Sequence, residues 1–361
     1  MDFIPTPPPI GLDRRLSDGL HARPAEFDGW VGEAAERLGA RLPVPESCLP
    51  FQAAGYFRLK RHRRSVCYAP PGTAPLHNVL CVKGMEPYAP DFASALDRLA
   101  ARRPANGELS QLDHLILRED KLPGCLLFDE ARLEACAAAD LQVRLASDGG
   151  AIAALPFPVL CARLSDEVRD GVVDQIAART SRALWPKLES LAAGGMGVYA
   201  YWYPSVPLRV QDCPMSRGRV EAAANGWIGL AARMLKAGFL PTAAHSLERG
   251  QCCNPQNAVI DGGFVDLGSI RPLDEMRTAR DVFIALQMTI WGLTATILHA
   301  LGQRGPFIGQ FDYVASMTLN LVRERLAVAC AASADPRLTE FFKASDEIGA
   351  IIRLAELRVD G

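Results

Sequence analysis

A run without charged residues, from Val282 to Gln303, restricts the possible folds of this chain more than any other segment. It carries large apolar residues such as Phe283, Ile290 and Trp291, and it is long enough to be compared with a membrane-spanning helix. Threonine and glutamine side chains, a glycine and His299 interrupt its apolar surface, and neither a second such run nor an asymmetry of basic loops accompanies it. The pattern therefore predicts a buried core helix and no membrane partner.

The size of the chain allows two domains or one large bilobal unit. It has 361 residues, of which 49% are hydrophobic and 22% charged, as in ordinary globular proteins. The 39 basic and 41 acidic residues give a net charge of −2, which offers no reason to bind nucleic acid or an acidic membrane. Small molecules or proteins are the expected partners. We expect a cytoplasmic protein with reduced thiols, because the ten cysteines lack zinc-site spacing and the first residues lack the features of a targeting peptide.

The first half of the chain predicts a proline-rich arm over residues 1–50, with one helix at Trp30–Leu38, followed by a β-rich lobe over residues 51–165. Short apolar runs predict strands at 53–60, 78–83, 124–128, 141–146 and 158–164. Helical patterns cover residues 91–103 and 130–139.

The second half, residues 166–361, predicts a mostly helical lobe. Helical patterns cover residues 168–191, 217–236, 278–300 and 311–332, and an aromatic strand or loop lies at 197–210. The fold class expected from both halves is α+β, with a β-rich N-terminal lobe and a mostly helical C-terminal lobe.

The segment from Asn254 to Gly268 reads as a hairpin with functional groups at both ends. Two short apolar pairs flank the turn sequence Asp-Gly-Gly, and this arrangement brings Asn257 and Asp266 to the same side of the hairpin. An amide oxygen and a carboxylate there could share one Mg²⁺, with phosphate oxygens completing its coordination. The alternative is a polar hairpin in which Asn257 only caps a turn.

Lys83 and Glu134 form the second candidate site. Only six of the 39 basic residues are lysines, and Lys83 ends an apolar strand where a long cation needs a partner such as phosphate. Glu134 lies on the alanine-rich helix, where its carboxylate could pair with Lys83 and orient it toward a nucleotide. The alternatives are a lysine that extends its charge into solvent at a strand end and a solvated glutamate on a helix face.

Arg163 and Arg169 form the third candidate site, one at a strand end and the other at the start of a helix. Both could clamp phosphate oxygens, or they could pair locally with Asp166 or Asp170.

Three further groups of residues give weaker signals. The six histidines have no metal-binding spacing, and the adjacent Cys252 and Cys253 have no histidine base assigned by the sequence. The aromatic residues Tyr199, Tyr201, Trp202 and Tyr203 could stack on a ligand, but aromatic strands more often belong to a core.

A strand lysine, a helix glutamate, and then an asparagine and an aspartate across a hairpin resemble the protein-kinase-like fold. More closely, the order of motifs is similar to the selenoprotein O family of pseudokinase-derived adenylyltransferases. The likeness rests on four segments over roughly residues 78–300: 82–88 (VKGMEPY), 134–145, 163–171, and 254–257 (NPQN) with Asp266.

The resemblance implies an enzyme that uses ATP and Mg²⁺ to transfer AMP to an acceptor. Lys83 would then hold phosphates and Glu134 would orient it, while Asn257 and Asp266 bind the metal. Arg163 and Arg169 would bind the ATP phosphates and neutralise the departing pyrophosphate, and Asn254 would also contact ATP.

Two features depart from the family. Gln256 occupies the catalytic position where the family has an aspartate proposed as proton acceptor, and an amide cannot take that role at neutral pH. This favours a carboxylate or amine acceptor, on a protein or a small molecule, over a serine hydroxyl. The separation of Lys83 from Glu134 also requires an insertion near residues 90–115.

The segment Asn254 to Asn257 also resembles the His-x-Gln-Asn segment of siderophore synthetases of the aerobactin type, which activate a carboxylate as its adenylate. This resemblance implies an ATP-dependent ligase as the alternative function. A third possibility is a non-catalytic pseudokinase that binds ATP and acts through a protein partner.

Overall fold

The fold is α+β, with helices and small antiparallel sheets. The computed structural model describes residues 3–5, 56–59, 65–68, 79–84, 86–88, 92–103, 109–146, 154–164, 166–241, 253–302, 313–331 and 333–343. The helix expected at Trp30–Leu38 and Cys252 lie outside these residues.

The chain divides into two compact units. The first contains residues 1–140 and 157–206, and the second contains residues 141–156 and 207–361. Residues 166–206, assigned from the sequence to the helical lobe, thus belong to the unit that holds the larger sheet.

The first unit is built on a six-stranded antiparallel sheet in the order β1-β2-β3-β4-β6-β5. The strands are β1 Phe3–Pro5, β2 Tyr56–Leu59, β3 Ser65–Tyr68, β4 Val79–Lys83, β5 Phe157–Arg163 and β6 Gly197–Tyr203. Strand β4 is buried on both faces, since Val82 and its neighbour Cys81 are fully covered. This explains why its sequence is apolar up to Lys83.

Five helices begin in the described part of the first unit. They are α1 Phe92–Ala101, α2 Gln111–Arg118, α3 Phe128–Ala146, α4 Asp166–Ala177 and α5 Trp185–Ala193. Helix α2 was not expected from the sequence, although Ser110 caps it by accepting a hydrogen bond from the Asp113 backbone amide at 3.0 Å.

Two expected strands are wrong because the alanine-rich helix is longer than its pattern suggested. Residues 124–128 contribute one bridge, between Leu127 and Met196, before α3 begins at Phe128. Residues 141–146 continue α3, and Leu141 and Leu145 are buried one helical turn apart. This four-residue spacing marks a helix and not a strand.

The single helix expected at 168–191 is also wrong. Helix α4 ends at Ala177, a short 3₁₀ turn follows at Arg182–Leu184, and α5 starts with Pro186 as its second residue. Proline is favourable in a first turn but breaks a helix interior, so it marks a new helix start.

The second unit is mainly helical. Its elements are α6 Arg217–Lys236, β7 Phe239–Leu240, β8 Arg271–Pro272, α7 Ala279–Ala300, α8 Tyr313–Cys330 and α9 Pro336–Lys343. Strands β7 and β8 form a two-stranded antiparallel sheet. Helices α6, α7 and α8 agree with the sequence to within two residues at each end, whereas α9 was not expected.

Helix α7 contains residues 282–300 of the uncharged run. It is the one helix in the described ranges that is long and apolar enough to cross a membrane, and 67% of its most apolar window is buried within the protein. Its threonines bond to carbonyls: Thr289 and Thr294 to the preceding turn, and Thr296 to Cys253 at 2.8 Å. This burial favours the core-helix interpretation.

Candidate functional site

Lys83 and Glu134 meet as the sequence predicted. Lys83 ends β4 and Glu134 lies on α3, and Lys83 Nζ is 2.6 Å from Glu134 Oε2. The side chains are 7% and 13% exposed, so the ion pair is largely removed from water. A lysine this buried needs a charged partner, and the carboxylate supplies one.

Gly84 fixes the exit of the chain from β4. Its φ of +88° is left-handed, and a Cβ built there would lie 2.4 Å from the carbonyl oxygen of Gly197 on β6. Only glycine fits this close backbone approach without displacing the neighbouring strand. The turn that follows Lys83 is therefore specified by sequence.

A row of polar residues crosses the sheet at the level of Lys83. Ser65 on β3 is opposite Lys83, Lys83 is opposite Tyr199 on β6, and Tyr199 is opposite Cys161 on β5. Directly opposite residues of antiparallel strands point to the same face of the sheet, so the four side chains share one face. The sequence predicted for Tyr199 only a place in the core or stacking on a ligand, and its position opposite Lys83 was not predicted.

The Tyr199 phenol has a pKa raised well above its ordinary value. Burial is the main cause, and the negative charge of Glu134 adds to it. The hydroxyl therefore stays protonated at neutral pH. Within the described part of the chain this buried hydroxyl has no hydrogen-bond partner.

In the second unit, the predicted hairpin forms as a tight turn with bridges instead of two full strands. Ala258 bridges to Phe264, and the amide of Val265 donates to the Asn257 carbonyl at 2.9 Å. Asn257 and Asp266 are thus at the two ends of one hairpin. Asn257 is 3% exposed, so it is not simply a surface turn residue.

Asp266 has two features that the sequence analysis missed. Its backbone is left-handed, with φ of 62° and ψ of 60°, which is unusual for a residue other than glycine and often marks functional positions. Its Oδ2 also lies 3.2 Å from Nη2 of Arg209. Arg209 is flanked by the buried residues Leu208 and Val210, and a charge between apolar neighbours was the signal available in the sequence.

Asn254 and Gln256 show more local roles. The side-chain oxygen of Asn254 accepts hydrogen bonds from the backbone amides of Gln256 at 2.8 Å and Asn257 at 3.1 Å. Asn254 is therefore the residue that caps this turn, and Gln256 is exposed.

The two arginines of the third candidate differ. Arg169 pairs locally with Asp166 at 2.7 Å and with Asp170 at 2.8 Å, which is the alternative left open by the sequence. The hydrogen bond that Arg169 donates to the Asp170 carboxylate raises the pKa of the Arg169 guanidinium. Arg163 has no ion pair or hydrogen bond with another described residue, and its guanidinium lies against the backbone of Gly195.

Cys253 is fully buried, and its carbonyl oxygen accepts the hydrogen bond of Thr296. This environment suits a packed structural cysteine better than a reactive thiol.

Among the residues that the structure describes, no group of three or more histidine, cysteine, aspartate and glutamate side chains could hold a metal ion. A metal at Asn257 and Asp266 would need further ligands from substrate and water, as Mg²⁺ commonly does. Neither a scan against protein-family models nor a search of curated proteins finds a match for this chain.

Proposed function

We propose that the protein is an ATP- and Mg²⁺-dependent transferase of protein-kinase-like, bilobal fold that moves AMP from ATP to an acceptor. The buried ion pair between Lys83 and Glu134 carries this proposal. In protein kinases a strand lysine paired with a helix glutamate positions the phosphates of ATP. A buried ion pair is a weak source of stability, so its presence favours a role beyond folding.

The second support is the Asn257 and Asp266 hairpin. Its amide and carboxylate groups are hard oxygen ligands of the kind that Mg²⁺ prefers, and substrate phosphates would complete the coordination. Arg209, paired with Asp266, offers a positive charge that holds the carboxylate in place before the metal binds. The metal would neutralise charge on the reacting phosphate.

Arg163 supports binding of an anionic group. Its guanidinium has no carboxylate partner among the described residues and remains partly exposed, so it can neutralise a phosphate. Arg169 would have to leave Asp166 and Asp170 to do the same. We therefore assign the pyrophosphate contact to Arg163 before Arg169.

The exposed Gln256 indicates which chemical class of acceptor the enzyme would use. An amide cannot take a proton from a hydroxyl, so the acceptor is an amine or a carboxylate that needs less help from a general base. The same observation favours the alternative function, a ligase that activates a small carboxylate as its adenylate.

The test is incubation of the full chain with Mg²⁺ and ATP labelled separately at the α and γ phosphates. Label that enters protein from the α position, but not from the γ position, supports AMP transfer to protein. Label from the γ position supports phosphorylation instead. Pyrophosphate release that requires an added carboxylic acid, without protein labelling, supports the ligase.

Binding of ATP without any turnover supports a pseudokinase. Asp266→Asn is the matched control in every assay, because it removes one charge and keeps the shape of the side chain. An Asp266→Asn protein with wild-type Mg²⁺-dependent ATP binding contradicts the metal assignment.

A further inference from the structure

The row of side chains at the level of Lys83 contains one buried hydroxyl, that of Tyr199, for which the described residues offer no hydrogen-bond acceptor. Tyr199 is 2% exposed, and its hydroxyl has no hydrogen-bond partner there. A buried polar group without a partner is costly, so such groups in folded proteins call for an explanation. An acceptor that arrives with a ligand is one such explanation.

The surroundings of the hydroxyl indicate which acceptor it would take. Tyr199 is directly opposite Lys83 across β4 and β6, so both side chains lie on one face of the sheet. The negative charge of Glu134 contributes to the raised pKa of the Tyr199 phenol, and the Glu134 carboxylate also binds Lys83. The protonated hydroxyl and the ammonium group are both donors, and two donors beside each other suit an anionic oxygen.

All three groups are largely removed from water. The Glu134 and Lys83 side chains are 13% and 7% exposed, and Tyr199 is 2% exposed. A hydrogen bond to an anionic oxygen is stronger in such surroundings than in water.

We infer that Tyr199 is a further binding residue of this site, whose hydroxyl and the Lys83 ammonium group together hold one phosphate oxygen of the nucleotide. This inference rests on the proposed function. It adds a hydrogen bond from the Tyr199 hydroxyl to a phosphate oxygen. Neither ring stacking by the aromatic strand nor the ion pair of Lys83 and Glu134 provides this contact.

Tyr199→Phe is the informative variant because it removes only the hydroxyl. We expect the free chain to be as stable as the wild type or more stable, since the lost group has no partner in the described structure. Affinity for Mg²⁺-ATP should fall about tenfold, the typical effect of losing a hydrogen bond to a charged group. Affinity for adenosine, which has no phosphate, should not change.

Tyr201→Phe is the matched control. Tyr201 lies two residues further along β6, its ring centroid is 5.2 Å from that of Tyr199, and its hydroxyl is hydrogen-bonded to Cys81. Loss of that hydroxyl should destabilise the free chain and leave the preference for ATP over adenosine unchanged.

The measurements are urea denaturation of each free full-length protein and calorimetric titration with Mg²⁺-ATP and with adenosine. Wild-type ATP affinity in Tyr199→Phe overturns the inference and leaves the proposed function standing. A free Tyr199→Phe chain less stable than wild type also overturns it, because the hydroxyl then has a structural partner such as an ordered water. A wild-type chain that binds no ATP refutes the proposed function and the inference together.

Discussion

Lys83 and Glu134 are 51 positions apart in the sequence, yet Lys83 Nζ lies 2.6 Å from Glu134 Oε2 inside the first unit. The pair joins the end of β4 to the middle of α3, so it fixes the helix on the sheet face that carries Tyr199 and Cys161. Its members depend on each other, because either charge alone would be buried without compensation.

The first prediction concerns this mutual dependence. Lys83→Met should lower the free energy of unfolding by about 3–5 kcal/mol, since it leaves the Glu134 carboxylate buried without its ammonium partner. The double variant Lys83→Met, Glu134→Leu should recover most of that loss, because no charge remains buried. Urea denaturation of the single and double variants measures both effects.

Measuring ATP binding by the single and double variants distinguishes loss of stability from loss of function. The double variant should fold and yet bind no ATP, because the lysine is gone. If Lys83→Met costs less than about 1 kcal/mol, the pair behaves as a surface ion pair and its burial has no energetic consequence.

The second prediction concerns Asp266, whose left-handed backbone separates conformational from chemical effects. Asparagine tolerates the left-handed conformation, because its polar side chain can form local hydrogen bonds. Alanine has a Cβ but no such polar group, so Asp266→Ala should be ~1–2 kcal/mol less stable than Asp266→Asn. Both should weaken Mg²⁺-dependent ATP binding by at least about tenfold. Thermal denaturation and titration of ATP with and without Mg²⁺ measure the two effects.

Asp266→Gly completes the series. It adopts positive φ without strain, so its stability should match or exceed that of Asp266→Ala, while its metal dependence should be equally impaired. Equal stability of the alanine and asparagine variants would show that the backbone here relaxes.

The third prediction compares two glycines. Gly84→Ala should destabilise the chain by about 3 kcal/mol or more, because its Cβ would clash with the Gly197 carbonyl oxygen at a positive φ. Gly171→Ala, in the exposed part of α4 with no atom within 4 Å of the new Cβ, should instead stabilise it by about 0.5–1 kcal/mol. Urea denaturation distinguishes them, and a harmless Gly84→Ala would contradict the tight approach of β4 and β6.

Helices α6, α7 and α8 of the second unit were predictable because their signals are local. Thr278 caps α7 by accepting from the Asp281 amide at 3.1 Å, and the uncharged run that follows has no competing break. The pair of Lys83 and Glu134 was also predictable, because a buried cation on a strand needs a carboxylate and the sequence offered one on the next alanine-rich helix.

Other features depend on contacts that no local pattern encodes. The partner of Tyr199 in the row across the sheet is set by the register of β4 and β6, whose residues are more than a hundred positions apart. Arg209 meets Asp266 only because the segment carrying Arg209 bridges to Val259 of the hairpin. The extension of α3 through residues 141–146 follows from burial of Leu141 and Leu145, which tertiary packing decides.

The last prediction uses the Cys161 thiol beneath α3. Burial, with a smaller contribution from Cys136, raises its pKa to about 12, whereas a free cysteine titrates near 8.5–9. The folded state therefore keeps a proton that the unfolded chain loses above about pH 9, so stability is fully present below that pH and falls as the pH rises toward 12. Between pH 8 and pH 10 this group should remove about 1.4 kcal/mol of stability.

Cys161→Ala tests that linkage under reducing conditions. The variant should be less stable than wild type at pH 7 and pH 8, because alanine fills less of the buried space than cysteine does. The difference in the free energy of unfolding between wild type and variant should be about 1.4 kcal/mol smaller at pH 10, because only the wild type loses stability as the thiol titrates. Urea denaturation at the three pH values gives the comparison. A constant difference across this range would mean that the Cys161 thiol ionises equally readily in the folded and unfolded chains, which contradicts the effect of its burial.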